Sequence, residues 1–377
     1  MFSRSDLDAL LARRVPGSRV LSVALNTDQT DAVNVNRGFE VEFRNRLRSV
    51  SQSLDPEQRN ELNEDARPVS EFLEQYREPN RGLIIFSDRS EDFFWVMSFR
   101  TNIRNDVRWE ERPYLRPLIE LLDEHERYGV VLTDRQQARL FTIFLGDIEE
   151  YAEVFAQSDV EHISGPGQER AWSQKNIQRK ADEHTHAHLK NVAEAMSRLA
   201  RVHEFDRLIL AGTPEVTSEL MGLLPKRLRT SVVRETSLQI NAPETEILEE
   251  TLRIEQDVER QRETELVDGL LTAAGKQKQA VLGLDDTLRA LQEFRVWRLV
   301  YADGFAASGG ECTNCGALLT DVKESCSFCG KPVSEVNDLI DLTAARVTES
   351  GGKVELIHDP AATRLSNAGN IGAFLRY

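Results

Sequence analysis

All four cysteines of this chain fall in one short stretch, as Cys312-Thr313-Asn314-Cys315 and Cys326-Ser327-Phe328-Cys329. Ten residues separate the two pairs, and each pair is followed by a glycine, Gly316 or Gly330. A C-x-x-C pair turns as a tight knuckle and aims two thiolates at one point. Two knuckles close a tetrahedral sulfur site with no open position, which is the chemistry of a structural zinc ion rather than a catalytic one. Cys312, Cys315, Cys326 and Cys329 are therefore expected to bind Zn2+ in a ribbon over residues 310–332 or so. Disulfides are the competing reading, disfavoured in a cytoplasmic chain. A redox role for either pair ranks third.

A ribbon of that size cannot organise 377 residues, of which 40% are hydrophobic. This length is long for one core, and the composition is that of globular domains. No run of eighteen apolar residues occurs, and the first residues, Met1 to Asp6, lack the apolar segment of a signal peptide. A soluble, cytoplasmic protein with no membrane partner is expected. The net charge of −16 argues against binding nucleic acid over the whole surface, and no DNA partner is expected. It leaves room for a local basic site, which Arg170, Lys175, Arg179, Lys180 and Lys190 supply.

Periodicity along the chain gives three α/β domains, 1–125, 126–240 and 241–377. In the first, Val20–Leu25, Leu83–Phe86 and Phe93–Phe99 read as strands. Gly38–Leu54, Pro68–Arg77 and Pro113–His125 read as helices. Its acidic residues are scattered at helix-surface spacing and form no catalytic constellation. In the second, Gly129–Thr133, Ala138–Leu145, Asp206–Ala211 and the neighbourhood of Val232 read as strands, alternating with helices in the manner of a mixed or parallel sheet. In the third, Pro243–Ala274 reads as one long, charged connecting helix. Leu284–Leu291 and Val336–Val347 read as helices, and Val296–Tyr301 and Lys353–His358 as strands.

The second domain also carries an unusual stretch, from His162 to His203, which holds five of the seven histidines. Ser164-Gly165-Pro166-Gly167 cannot lie inside a helix and reads as an exposed turn. The loop is expected to continue through Gln168, Arg170 and Trp172 to Gln174, and a basic helix to follow from Lys175 to Arg201. In that helix Ile177, Leu189, Val192, Ala193, Met196 and Leu199 recur mostly at threes and fours. His184 and His188 share a helix face at the spacing of zinc hydrolases, but Thr185 stands where that motif has its glutamate. A solvated face near RNA phosphates is the preferred reading of these histidines.

The loop and helix, followed by Leu208-Ile209-Leu210-Ala211-Gly212 and then Leu223-Leu224-Pro225, Arg227 and Leu228, resemble the middle domain of the archaeal and eukaryotic class-1 peptide chain release factors. Trp172-Ser173-Gln174 with Gln178 and Arg179 is most similar to the bacterial relatives of these factors and to the peptidyl-tRNA hydrolases of ribosome quality control. The tail, Gly369-Asn370-Ile371-Gly372-Ala373-Phe374-Leu375-Arg376-Tyr377, resembles a segment of the family's third domain. The resemblance implies that this last domain has the fold of kink-turn-binding ribosomal proteins, with the cysteine ribbon inserted. It implies a ribosome or large-subunit partner and a peptidyl-tRNA substrate whose ester is hydrolysed.

In that family a Gly-Gly-Gln loop enters the peptidyl-transferase centre. A backbone N–H at the Gln donates to the developing oxyanion, and the terminal ribose hydroxyl of the tRNA assists. Here the glycine pair is broken. Gln168 follows Gly165, Pro166 and Gly167, while Arg170 and Ala171 precede the Trp-Ser-Gln triplet. The resemblance implies catalytic roles for Gln174 and Gln168, in that order, with Gly167 and Gly165. It implies RNA contacts by Arg170, Trp172, Lys175, Arg179 and Lys180, with Trp172 either stacking on a base or anchoring the loop. The first domain has neither the Asn-Ile-Lys-Ser segment nor the Tyr-x-Cys-x-x-x-Phe segment of the stop-codon readers. Ribosome rescue is therefore expected rather than decoding. A non-catalytic surveillance factor of the same superfamily is the alternative.

Overall fold

The computed structural model of the chain describes residues 4–13, 17–151, 170–203, 205–276, 278–322 and 325–377. By compactness the chain divides into two units, Met1–Glu124 with Glu259–Tyr377, and His125–Val258.

The first unit opens with α1 (Arg4–Leu11), β1 (Val20–Asn26), α2 (Gly38–Ser51), α3 (Pro56–Gln75), β2 (Gly82–Asp88), β3 (Phe93–Phe99), β4 (Asp106–Glu110) and α4 (Arg116–Glu124). The strands form an antiparallel sheet in the order β3-β2-β1-β4. Alternation along β1 sends Leu21, Val23 and Leu25 to one face, where they pack with Phe39 and Phe43 of α2 and Leu62, Val69 and Leu73 of α3. The helix expected from Pro68 begins at Pro56. The Asp55 carboxylate accepts the N–H groups of Glu57 and Gln58, and the Gln58 side chain accepts the N–H of Asp55. That capping box, with Pro56 in the first turn, starts the helix early, and the helix continues through Pro68.

The second unit contains β5 (Tyr128–Thr133), β6 (Ala138–Phe144), β7 (Asp147–Tyr151), α5 (Arg170–His203), β8 (Arg207–Ala211), α6 (Pro214–Leu223), α7 (Lys226–Ser231), β9 (Val232–Thr236) and the first part of α8 (Glu244–Gly275). Its sheet runs β7-β6-β5-β8-β9, with β5–β8 and β8–β9 parallel and the others antiparallel. Leu189, Val192 and Met196 of α5 cover one face together with Val216 and Leu220 of α6. Ile247 and Ile254 of α8 cover the other. Gly212 closes β8, where a Cβ would collide with the carbonyl oxygen of Thr133.

The remainder of α8 belongs to the first unit. It leads to β10 (Ala280–Leu282), α9 (Leu284–Gln292), β11 (Val296–Ala302), β12 (Gly309–Cys312), β13 (Leu318–Leu319), β14 (Val333–Val336), α10 (Leu339–Glu349), β15 (Lys353–Ile357), α11 (Ala361–Ser366) and β16 (Ile371–Leu375). One sheet has the order β10-β16-β11-β15, with β11 and β15 parallel, and a small ribbon has the order β13-β12-β14. The helix expected from Val336 starts at Leu339. Val336 instead ends β14 opposite Gly309, and Asp338 caps the helix by accepting from the N–H groups of Ile340 and Asp341. The fold is mixed α/β throughout. Among the described residues, no helix is long and apolar enough to cross a membrane.

Candidate functional site

Gly165, Gly167 and Gln168 lie outside the described residues, as does the rest of the Gly-Pro-Gly turn. Arg170, Trp172 and Gln174 fall in α5 rather than in a loop, and Lys175 lies in α5 as expected; their side chains are outside what is described. In a helix the amide of Gln174 stands four residues after the carbonyl of Arg170, which is its ordinary bonding partner.

From Arg179 to His184 every residue of α5 is exposed. Arg179 faces Glu183 at 3.7 Å, with both side chains about 70% exposed, so solvent screens this pair. Lys180 is exposed as well. A helix that is polar all round gains nothing from packing. It is held by its second half, where Leu189, Val192, Ala193 and Met196 are buried. The histidines diverge. His184 is exposed, His186 meets Glu219 at 2.9 Å, and His188 turns inward to Thr133 at 3.4 Å. Burial lowers the pKa of His188. Among the described residues these histidines join no cluster of three metal-ligating groups.

One polar cluster in this unit gave no sequence signal. The Tyr151 hydroxyl meets Glu149 at 2.7 Å and both Thr142 and His203 Nδ1 at 3.2 Å, with the Tyr151 and His203 rings 4.7 Å apart. Tyr151 and His203 are 52 residues apart in the chain and belong to no recognisable pattern.

The cysteine ribbon is built by β12 and two matching knuckles. Gly316 N–H bonds the carbonyl of Cys312 at 3.0 Å, and Gly330 N–H bonds that of Cys326 at 2.9 Å. Both glycines have φ +72°, a left-handed turn that a side chain would strain. The four sulfur atoms lie within 4.8 Å of one another. Cys312 and Cys329 are 3.4 Å apart, and Cys315 and Cys326 3.7 Å. Tetrahedral zinc–thiolate bonds of about 2.3 Å place neighbouring sulfurs roughly 3.8 Å apart, so the donor set fits such an ion. The backbone N–H of Cys315, then that of Asn314, favour a thiolate at Cys312 and bring its pKa down to about 6.

Residues 113–256, spanning the second unit but for its last two residues, match the family described as bacterial archaeo-eukaryotic release factor family 10. The peptide chain release factor subunit 1 of Methanobrevibacter smithii is 23% identical over 287 residues, covering 70% of this chain and 68% of that protein. Among solved structures, the chain is similar to S. cerevisiae Dom34, described as a translation termination-like factor of RNA quality control that interacts with Hbs1. The TM-score is 0.42 and the identity 12%, over 78% of this chain and 81% of that one. Archaeoglobus fulgidus Pelota is similar at a TM-score of 0.33 and 16% identity, over 78% and 79%. The chain is thus release-factor-like, related to the superfamily of archaeal and eukaryotic class-1 release factors through the part that holds α5 and the residues before it.

Proposed function

We propose that this chain is a cytoplasmic, ribosome-associated peptidyl-tRNA hydrolase of rescue or quality control. The observation that carries the reading is the family match over residues 113–256, which includes the whole of the glycine–glutamine stretch and α5. With this reading we divide the chain into three functional parts. Residues 1–125 lack codon-reading motifs, 126–240 carry the chemistry, and 241–377 form a connecting helix and a kink-turn-binding-type domain whose cysteines hold a structural Zn2+.

In the proposed step, water attacks the ester carbonyl, the bond to the tRNA 3′ oxygen breaks, and that oxygen takes a proton relayed by the neighbouring ribose hydroxyl. The chain supplies a backbone N–H that meets the developing oxyanion. The resemblance favours Gln174 by its Trp-Ser-Gln context, but Gln174 stands in a helix, where a backbone N–H ordinarily bonds the carbonyl four residues earlier. We assign the donor to Gln168, with Gly165 and Gly167 permitting close backbone approach. Gln174, Arg170, Trp172 and Lys175 serve as RNA contacts beside Arg179 and Lys180. The alternative, a surveillance factor that binds without hydrolysis, draws on Arg170 and Ala171 standing where the family has glycines.

The test is peptide release from stalled and split ribosomes. Wild type is expected to release peptide. Gln168→Pro, which removes the backbone N–H, is expected to lose about a hundred-fold or more in rate, while Gln174→Ala loses less than ten-fold. Wild-type protein that binds ribosomes but releases nothing establishes the surveillance reading instead.

A further inference from the structure

The second unit is acidic on much of its surface, and its arginines are mostly spoken for. Arg139 pairs with Glu150, Arg207 with Glu126, and Arg253 with Glu250. The distal half of α5 differs. Lys190, Arg198 and Arg201 line an open cleft of about 400 Å³ whose opposite wall is Leu223 and Pro225. Lys226 and Arg227, exposed at the start of α7, follow directly on that wall. Among the described residues, none of these five cations forms an ion pair or a side-chain hydrogen bond. Glu194 is the single acid in the lining. The wall itself is fixed, because Arg229 donates to the carbonyls of Gly222 and Leu224 at 3.0 Å each.

Unpaired cations lining a groove repel one another and are stabilised by an anion with several charges in a row. From Lys190 to Arg201 the helix rises about 16 Å, long enough to follow several consecutive phosphates of one strand. No aromatic side chain lines the cleft for base stacking. Its apolar lining, Ala193, Leu223 and Pro225, is too small for insertion into a lipid surface.

We propose that this cleft binds the phosphodiester backbone of RNA without regard to sequence, as a contact separate from Arg179, Lys180 and the glycine–glutamine stretch. The choice of RNA over DNA rests on the ribosomal reading. The phosphate site does not, and it requires no hydrolysis.

The experiment uses the full chain and a labelled single-stranded RNA of about 20 nucleotides, followed by anisotropy between about 50 and 300 mM KCl. DNA of the same sequence and phosphatidylserine-containing vesicles are run in parallel. Arg198→Glu with Arg201→Glu is expected to weaken RNA binding at least ten-fold. The slope of log affinity against log salt should fall by about 1.4, two phosphates at roughly 0.7 each on a single strand. Glu194→Gln should tighten binding about two-fold or more, a gain that misfolding cannot produce. Unchanged affinity and slope in both variants would overturn the site. Tighter binding of DNA or of vesicles than of RNA would overturn the choice of RNA. Peptide release plays no part in the readout, so failure of the hydrolase reading and failure of this one are told apart.

Discussion

Asp341 is buried in the first unit, where its Oδ1 accepts the backbone N–H of Arg116 at 3.0 Å. Burial, followed by the charges of Glu110 and Asp338, raises its pKa to about 7. The folded state therefore holds a proton that the unfolded chain has lost between about pH 4 and pH 7. Stability falls as pH rises through that window and levels off above it. Asp341→Asn keeps the acceptor and removes the charge. It should be more stable than wild type by about 1–3 kcal/mol at pH 8 and no different near pH 4, measured by urea unfolding. A variant no more stable at pH 8 would mean that the Arg116 backbone N–H and the Arg108 charge already offset the carboxylate. Nothing in the sequence marks Asp341, because its partner is 225 residues away. The same holds for Asp65, whose carboxylate accepts from Trp109 Nε1 at 2.8 Å across 44 residues. The cysteines were legible for the opposite reason: ligand spacing within a knuckle is local, and the sulfurs do converge.

Among the elements, α5 shows where periodicity works and where it stops. The run Leu189, Val192, Ala193, Met196 and Leu199 carries a 3.6-residue period because one face is buried. Residues 170–174 carry no such period, so their helical state was not visible, although Arg, Ala and Gln are good helix formers. Likewise β7, Asp-Ile-Glu-Glu-Tyr at a sheet edge, is too polar to read as a strand. The exposed turns of α5 supply a prediction of their own. Arg179→Glu with Lys180→Glu should weaken ribosome association. It should also flatten the dependence of log affinity on log salt by about one unit for each phosphate no longer neutralised. Because both side chains point into solvent, the melting temperature should move by less than about 2 °C. Binding that keeps the wild-type slope would show this face to be solvated only.

For the molecule as a whole, reading the chain consecutively gives three domains, whereas compactness groups the two ends in one unit. The ties that do this are long-range, such as Tyr114 Oη with Asp338 at 3.2 Å and Arg112 with Glu311 at 2.7 Å, and they leave no local trace. They also place the cysteine ribbon within that unit rather than on an appendage. Glu311 of β12 pairs with Arg346 of α10 at 2.6 Å, and Thr320 donates to Asp285 of α9 at 2.6 Å. The nearby core of Val267, Leu270, Val300, Ile357 and Leu365 contains no ribbon residue. Metal loss should therefore unfold the ribbon and loosen α9 and α10 while the β10-β16-β11-β15 sheet persists. The second unit has separate cores and should be untouched. Wild-type protein is expected to carry one zinc ion per chain, and Cys315→Ser none. Because a closed site contributes its binding energy to folding, Cys315→Ser or chelation should lower the first unit's thermal transition by at least about 5 °C. Peptide release and RNA affinity should stay within about two-fold of wild type, since a closed four-sulfur site offers no position to substrate. Metal analysis that finds no stoichiometric zinc would remove the ion from the fold. Release abolished by chelation while the second unit stays folded would show that the ribbon acts in the reaction.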